Sequence, residues 1–159
     1  MIIESTSGAK EDTLTVIKGT DFTVLDTLVN SIFKKIQASD TLRFSCDTER
    51  SQVNTTLVKH KSIYNVGYSG IARIKFSIKT SNINYASQGQ IYFDGIAKGT
   101  LRSTTSATYV EFSEDLIIKP ETNIELWISA GYISASCYTN NFRICFNEGG
   151  SILITTYDA

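Results

Sequence analysis

From Asp40 onward this 159-residue chain alternates apolar and polar side chains with a period of two, and that pattern commits it to β-strands. Leu42, Phe44 and Cys46 alternate with polar neighbours. Ala72, Ile74, Phe76 and Ile78 face one way while Arg73, Lys75, Ser77 and Lys79 face the other, which describes a half-buried antiparallel strand with a wet outer face. Ile124, Leu126, Ile128 and Ala130 repeat the pattern opposite Glu125, Trp127 and Ser129. Phe142, Ile144 and Phe146 do so opposite Arg143 and Cys145. Asp94-Gly95, between Ile91-Tyr92-Phe93 and Ile96-Ala97, suits a two-residue type I′ hairpin with Phe93 and Ile96 as cross-strand partners. Lys119-Pro120-Glu121-Thr122 and Gly149-Gly150 supply further turns. Roughly eight to ten short strands on this spacing predict an all-β fold, an antiparallel β-sandwich of jelly-roll-like type.

The period changes near the start. Residues 1–12 are polar and read as a flexible arm, and a short strand from Thr13 ends at Gly19. Asp21 or Thr20 then caps an amphipathic α-helix over residues 21–37, with Phe22, Leu25, Val29, Ile32 and Ile36 on one stripe. Such a stripe packs across the end of its own sandwich, or it forms an oligomer seam or docking helix. The expected organisation is residues 1–39 as arm, strand and helix and residues 40–159 as the sandwich, one compact unit overall.

A chain of this length buries roughly 70% of its unfolded surface and needs no staples. Lys+Arg 15 against Asp+Glu 16 leaves no basic excess for a nucleic-acid partner. Lys59-His60-Lys61 reads as a solvated strand edge. No apolar run approaches the roughly 18 residues of a membrane span, and the N-terminus lacks the pattern of a signal peptide. Synthesis and folding in a cytoplasm are the expectation. Cys46, Cys137 and Cys145 form an odd set without metal-ligand spacing and read as small hydrophobes, with one Cys137–Cys145 bridge as the alternative.

Catalytic machinery is not legible, and the expectation is a protein that is not an enzyme and uses no cofactor or metal. His60 is the single histidine and reads as a surface residue. Gly95 to Gly99 mimics part of a phosphate loop without the helix that must follow. Asn54-Thr55-Thr56 matches a glycosylation sequon by chance. Glu111, Glu114 and Asp115 lie close in sequence and alone sustain a remote alternative, a small glycoside hydrolase, which needs two carboxyl groups about 5–10 Å apart. The aromatic side chains are more informative. Trp127, Tyr92 and Tyr109 each oppose the apolar face of their own strand. There they stack on a sugar, anchor a subunit contact, or pack under the helix or arm.

One resemblance covers roughly Val53 to Phe146. Gly70-Ile71-Ala72-Arg73-Ile74-Lys75-Phe76-Ser77-Ile78-Lys79 is followed by the hairpin Ile91 to Thr104, then by Thr108-Tyr109-Val110-Glu111-Phe112-Ser113-Glu114-Asp115, and finally by Asn141-Phe142-Arg143-Ile144. This succession resembles a β-domain of bacteriophage and prophage tail and virion accessory proteins of Gram-positive bacteria. The resemblance implies a virion structural protein (capsid or tail decoration, baseplate or fibre tip) that works by assembly. Its expected partners are copies of itself, a trimer favoured, and other virion proteins. The alternative is a carbohydrate-binding, host-adhesion module that grips a surface glycan, and one protein can do both.

Overall fold

The computed structural model of the protein describes residues 2–7, 10–15 and 34–148. The chain divides into two units, one formed by Lys34–Gly149 and the other by Met1–Phe33 with Gly150–Ala159. In the latter, β1 (Ile2–Ser7) and β2 (Lys10–Thr15) pair antiparallel, with Ile2 opposite Thr15 and Ser7 opposite Lys10. Of the arm expected over residues 1–12, the described residues 2–7 and 10–12 are therefore strand. Their polar side chains are no obstacle, because the ladder is a backbone structure.

Lys34–Gly149 is a two-sheet sandwich. The first sheet holds β3 (Lys34–Cys46), β4 (Arg50–Gln52), β6 (Tyr68–Thr80), β10 (Val110–Ile118) and β12 (Cys137–Glu148). Their order is β10-β6-β3-β12-β4, and β6 also pairs β12 directly. The second holds β5 (Val58–Asn65), β11 (Thr122–Ser129), β7 (Ser87–Phe93) and β8 (Ile96–Ala97) in that order, with β9 (Arg102–Thr104) on β7. Within the sandwich all ladders are antiparallel but one, a three-residue parallel match of Lys34–Ile36 with Tyr68–Gly70.

The alternation read from the sequence sorts inside from outside as expected. Ala72, Ile74, Phe76 and Ile78 are fully buried, as are Ile124, Leu126 and Ile128. They meet Ile91, Phe142, Ile144 and Phe146 in one core. The sheets approach closely where Gly89 passes Phe76: a Cβ there would sit 2.7 Å from the ring. Asp94 and Gly95 take φ values of 48° and 78°, as a type I′ turn requires, and Phe93 pairs with Ile96.

Phase changes mark bulges. On β12, Cys137 and Thr139 point inward at odd positions and Phe142, Ile144 and Phe146 at even ones. The register with β6 slips between Asn140 and Arg143, where Asn141 adopts φ 49°. This places Cys137 and Cys145 on opposite faces of one strand, and both thiols are free.

Of the expected helix, Phe22, Leu25, Val29 and Ile32 lie outside the described residues. Its last turn is corrected: Lys34–Gln37 open β3, and Ile36 is a buried strand residue paired to Gly70 and to Glu148. Two ladders compete for this segment against one more turn of helix, and a β-branched side chain favours the strand. The first strand of the sandwich thus begins ahead of Asp40.

The registers define two ends. At one lie the turns at Val66-Gly67, Asp94-Gly95 and 119–121, and here the chain enters at Lys34 and leaves at Glu148. At the other, the tip, lie residues 53–57, 81–86, 105–109 and 131–136.

Candidate functional site

The outer face of the second sheet carries two of the three aromatic candidates. Alternation turns Glu125 and Trp127 outward on β11 and Tyr92 outward on β7. The register sets Glu125 opposite Tyr92 and Trp127 opposite Gln90, so Tyr92 and Trp127 are diagonal neighbours. Their rings stack with centroids 4.5 Å apart and planes 18° from parallel.

Glu125 locks this pair in place. Its Oε2 accepts from Trp127 Nε1 at 2.8 Å and from Gly95 N at 3.1 Å, and its Oε1 accepts from Lys59 Nζ at 3.2 Å. The carboxylate is buried under these donors while Lys59 stays open to solvent. A bulge at His60 makes the triad possible by bringing Lys59 opposite Trp127. Beyond it Tyr64 faces outward on the same sheet and is exposed. Gln90, whose Nε2 donates to Gly99 O at 2.8 Å, and Gln88, bonded to Ser129 Oγ at 3.2 Å, complete a polar surround.

Sequence reasoning missed Glu125, Lys59 and Tyr64. The polar member of an alternating strand gives no hint that it is a buried carboxylate. Nor does alternation across a bulge assign faces.

Tyr109 does not join this pair. It precedes β10 on the first sheet, where its hydroxyl donates to Glu49 and the Lys79 ammonium sits 4.4 Å from its ring centroid and 4.9 Å from that of Tyr138. Burial, with the Glu49 carboxylate beside it, pushes the phenol well above its usual range. The surrounding face is a lattice of charges. Arg73 binds Asp115 through two bonds of 2.8 and 3.0 Å, Lys75 reaches Asp40 at 2.8 Å, and Arg143 reaches Asp47 at 3.0 Å. These cations hold all three aspartates below the ordinary carboxylate range. Under the lattice lies Cys145, its thiol pushed up by burial.

The three acids considered for hydrolysis do not converge. Glu111 and Asp115 face outward on β10, about 13 Å apart at 3.3 Å per residue, wider than a glycosidase pair. Glu114 points to the opposite side and accepts from Thr100 N at 2.9 Å. His60 is a second correction: it is half-buried rather than on the surface, its Nε2 has no hydrogen-bond partner, and burial lowers its pKa. Lys61 is a third. It is 4% exposed and donates to Cys46 O at 2.5 Å and Thr48 O at 2.8 Å. The bulge accounts for His60, whereas Lys61 keeps the alternation of Ile63 and Asn65.

A concavity of about 580 Å³ lies near the chain-entry end, lined by Phe93, Ile96, Leu116 and Ile117 with Lys98 and Lys119. Asp115 also lines it, but the carboxylate is committed to Arg73. Among the described residues no group of three His, Cys, Asp or Glu side chains is placed to hold a metal.

No family model matches this chain, and no curated protein matches it. Among solved structures it is similar to the CBM36-1 domain of a multidomain xylanase from the hindgut metagenome of Trinervitermes trinervoides. The match has 14% identity and a TM-score of 0.44, covering 70% of this chain and 93% of that one.

Proposed function

We propose that this protein is a carbohydrate-binding module, a β-sandwich of jelly-roll-like type that holds a glycan against the outer face of its second sheet. The observation that carries the reading is the Trp127–Tyr92 stack fixed by Glu125. Two half-buried aromatic rings on an outward sheet face present apolar area that the fold itself does not use. The C–H faces of a sugar match such rings, while Gln88, Gln90 and Lys59 around them offer hydroxyl partners. The buried carboxylate has already fixed the Trp127 ring, so little ordering is left to do on binding. The reading requires no bond-breaking chemistry.

Affinity electrophoresis in gels carrying neutral and acidic polysaccharides tests this directly. The wild type is expected to be retarded by at least one of them, and Trp127→Ala to lose about tenfold or more in affinity, roughly 1.4 kcal/mol. Tyr109→Ala, on the other sheet, is expected to bind normally. No retardation of the wild type on any glycan would overturn the reading.

A second reading, assembly on a phage particle, rests on the sequence resemblance, whose segments fall on β6, β7 to β9, β10 and β12 of the sandwich. Co-sedimentation with virions is its test, and a protein that both builds a particle and grips host glycan would pass both.

A further inference from the structure

The tip is built from four loops, residues 53–57, 81–86, 105–109 and 131–136. None of these 22 residues is charged, although charged residues make up 19% of the chain. The loops form one connected surface. Ser81 N donates to Ser136 O at 2.9 Å, Thr80 N to Ser106 O at 2.9 Å, and Ala130 N to Asn54 O at 2.7 Å. Ser136 N returns a bond to Ser81 Oγ at 2.7 Å, and the rings of Tyr85 and Tyr132 stack with centroids 4.7 Å apart.

Two of the loops make the same turn. Tyr85 N closes onto Asn82 O at 3.0 Å, and Ala135 N onto Tyr132 O at 2.9 Å. Each turn puts an isoleucine at its second position, Ile83 at 65% and Ile133 at 72% exposed. Turn positions favour Gly, Pro, Asn, Asp and Ser for conformational reasons. A β-branched apolar residue at both apices gains the fold nothing, and Val53 adds a third exposed aliphatic side chain on the same end.

We propose that the tip is an interface that takes a second copy of this chain, tip to tip. An isologous contact sets the same patch on both sides, and an uncharged patch meets itself there without like-charge repulsion. Interface cores are depleted of charge and enriched in aromatic residues, and Tyr85 and Tyr132 stack on this surface. The two equivalent turns run in opposite senses, from the first sheet to the second and from the second to the first. The chain enters and leaves the sandwich at the other end. This inference is independent of the glycan reading.

Sedimentation velocity over a wide range of protein concentration tests it, with far-UV circular dichroism and the urea midpoint as controls for folding. The wild type is expected to dimerise reversibly with little dependence on salt. Ile83→Asn with Ile133→Asn is expected to weaken the dimer by about tenfold or more. The single Ile133→Lys should weaken it most at low salt, because it sets like charges across the contact. Trp127→Ala should leave it unchanged. A wild type that stays monomeric at every concentration overturns the proposal, as does a dimer indifferent to the folded double variant. Retention of a strictly monomeric protein on a neutral polysaccharide, lost in Ile133→Lys, would assign the tip to glycan instead and equally overturn it.

Discussion

The two ends of the sandwich are made from the same strands but are finished in different ways. At the chain-entry end the turns are short and held by specific polar groups. Asn65 donates to Tyr68 O at 2.8 Å and Lys119 O at 2.6 Å and accepts from Tyr68 N at 3.1 Å, so one buried amide ties two turns. Asp94 accepts from the backbone and side-chain nitrogens of Asn123 at 2.9 and 3.0 Å. Gly70, at φ 136°, lets β6 lie against the backbone of Ile36. The tip closes through loop-to-loop backbone bonds and through the hydroxyls of Thr80, Ser81, Thr104 and Ser106, and it leaves Ile83 and Ile133 in water. A side-chain amide and a carboxylate tie the turns at the entry end, whereas backbone groups and small hydroxyls tie the loops at the tip.

The contrast predicts where substitutions register. The largest effect is expected for Gly70→Ala: a Cβ there overlaps Ile36 O in a backbone region that L residues avoid, a loss of about 3 kcal/mol by urea denaturation. Asn65→Ala comes next, at about 2 kcal/mol, since it removes three hydrogen bonds from a buried amide to backbone groups of two turns. Asp94→Asn is smaller and depends on pH. The Asn123 bonds lower the Asp94 pKa from its ordinary 3.8, so the carboxylate stabilises the fold above that value and stops doing so as pH falls through the lowered one. The difference in urea midpoint between pH 6 and pH 3 should therefore shrink in the variant. The isoleucine substitutions at the tip, by contrast, should stay within about 0.5 kcal/mol in stability. A large loss there, or none at Gly70, would erase the distinction between the ends.

The sequence made the strands legible wherever one face is core, because a period of two survives in β6 and β11 from end to end. The Asp94-Gly95 turn was legible for a different reason, its demand for two positive φ values. What alternation cannot say is which of two sheets a strand joins. Tyr92, Trp127 and Tyr109 look alike on that measure, yet only two share a face. Bulges hide the rest. The extra residue at His60 turns Lys59 outward against the alternation of Lys61, Ile63 and Asn65, while the slip at Asn140–Asn141 separates the two buried cysteines. Near Ile36 the local pattern fits helix and strand alike, and long-range pairing to Gly70 and Glu148 decides between them. The tip was hidden because an uncharged loop looks, residue by residue, like any other loop.

Ile36 and Glu148 are ladder partners, so the chain arrives at the sandwich and departs from it on neighbouring strands. A piece with its two connections side by side behaves as a cassette. Residues 34–148 fit into a surface loop of an unrelated host without stretching it, and the Trp127 face and the tip remain outward-looking cargo. The same closure makes the sandwich transplantable in the laboratory: grafted into a reporter, it would carry the Trp127 face and the tip along as a single inserted module.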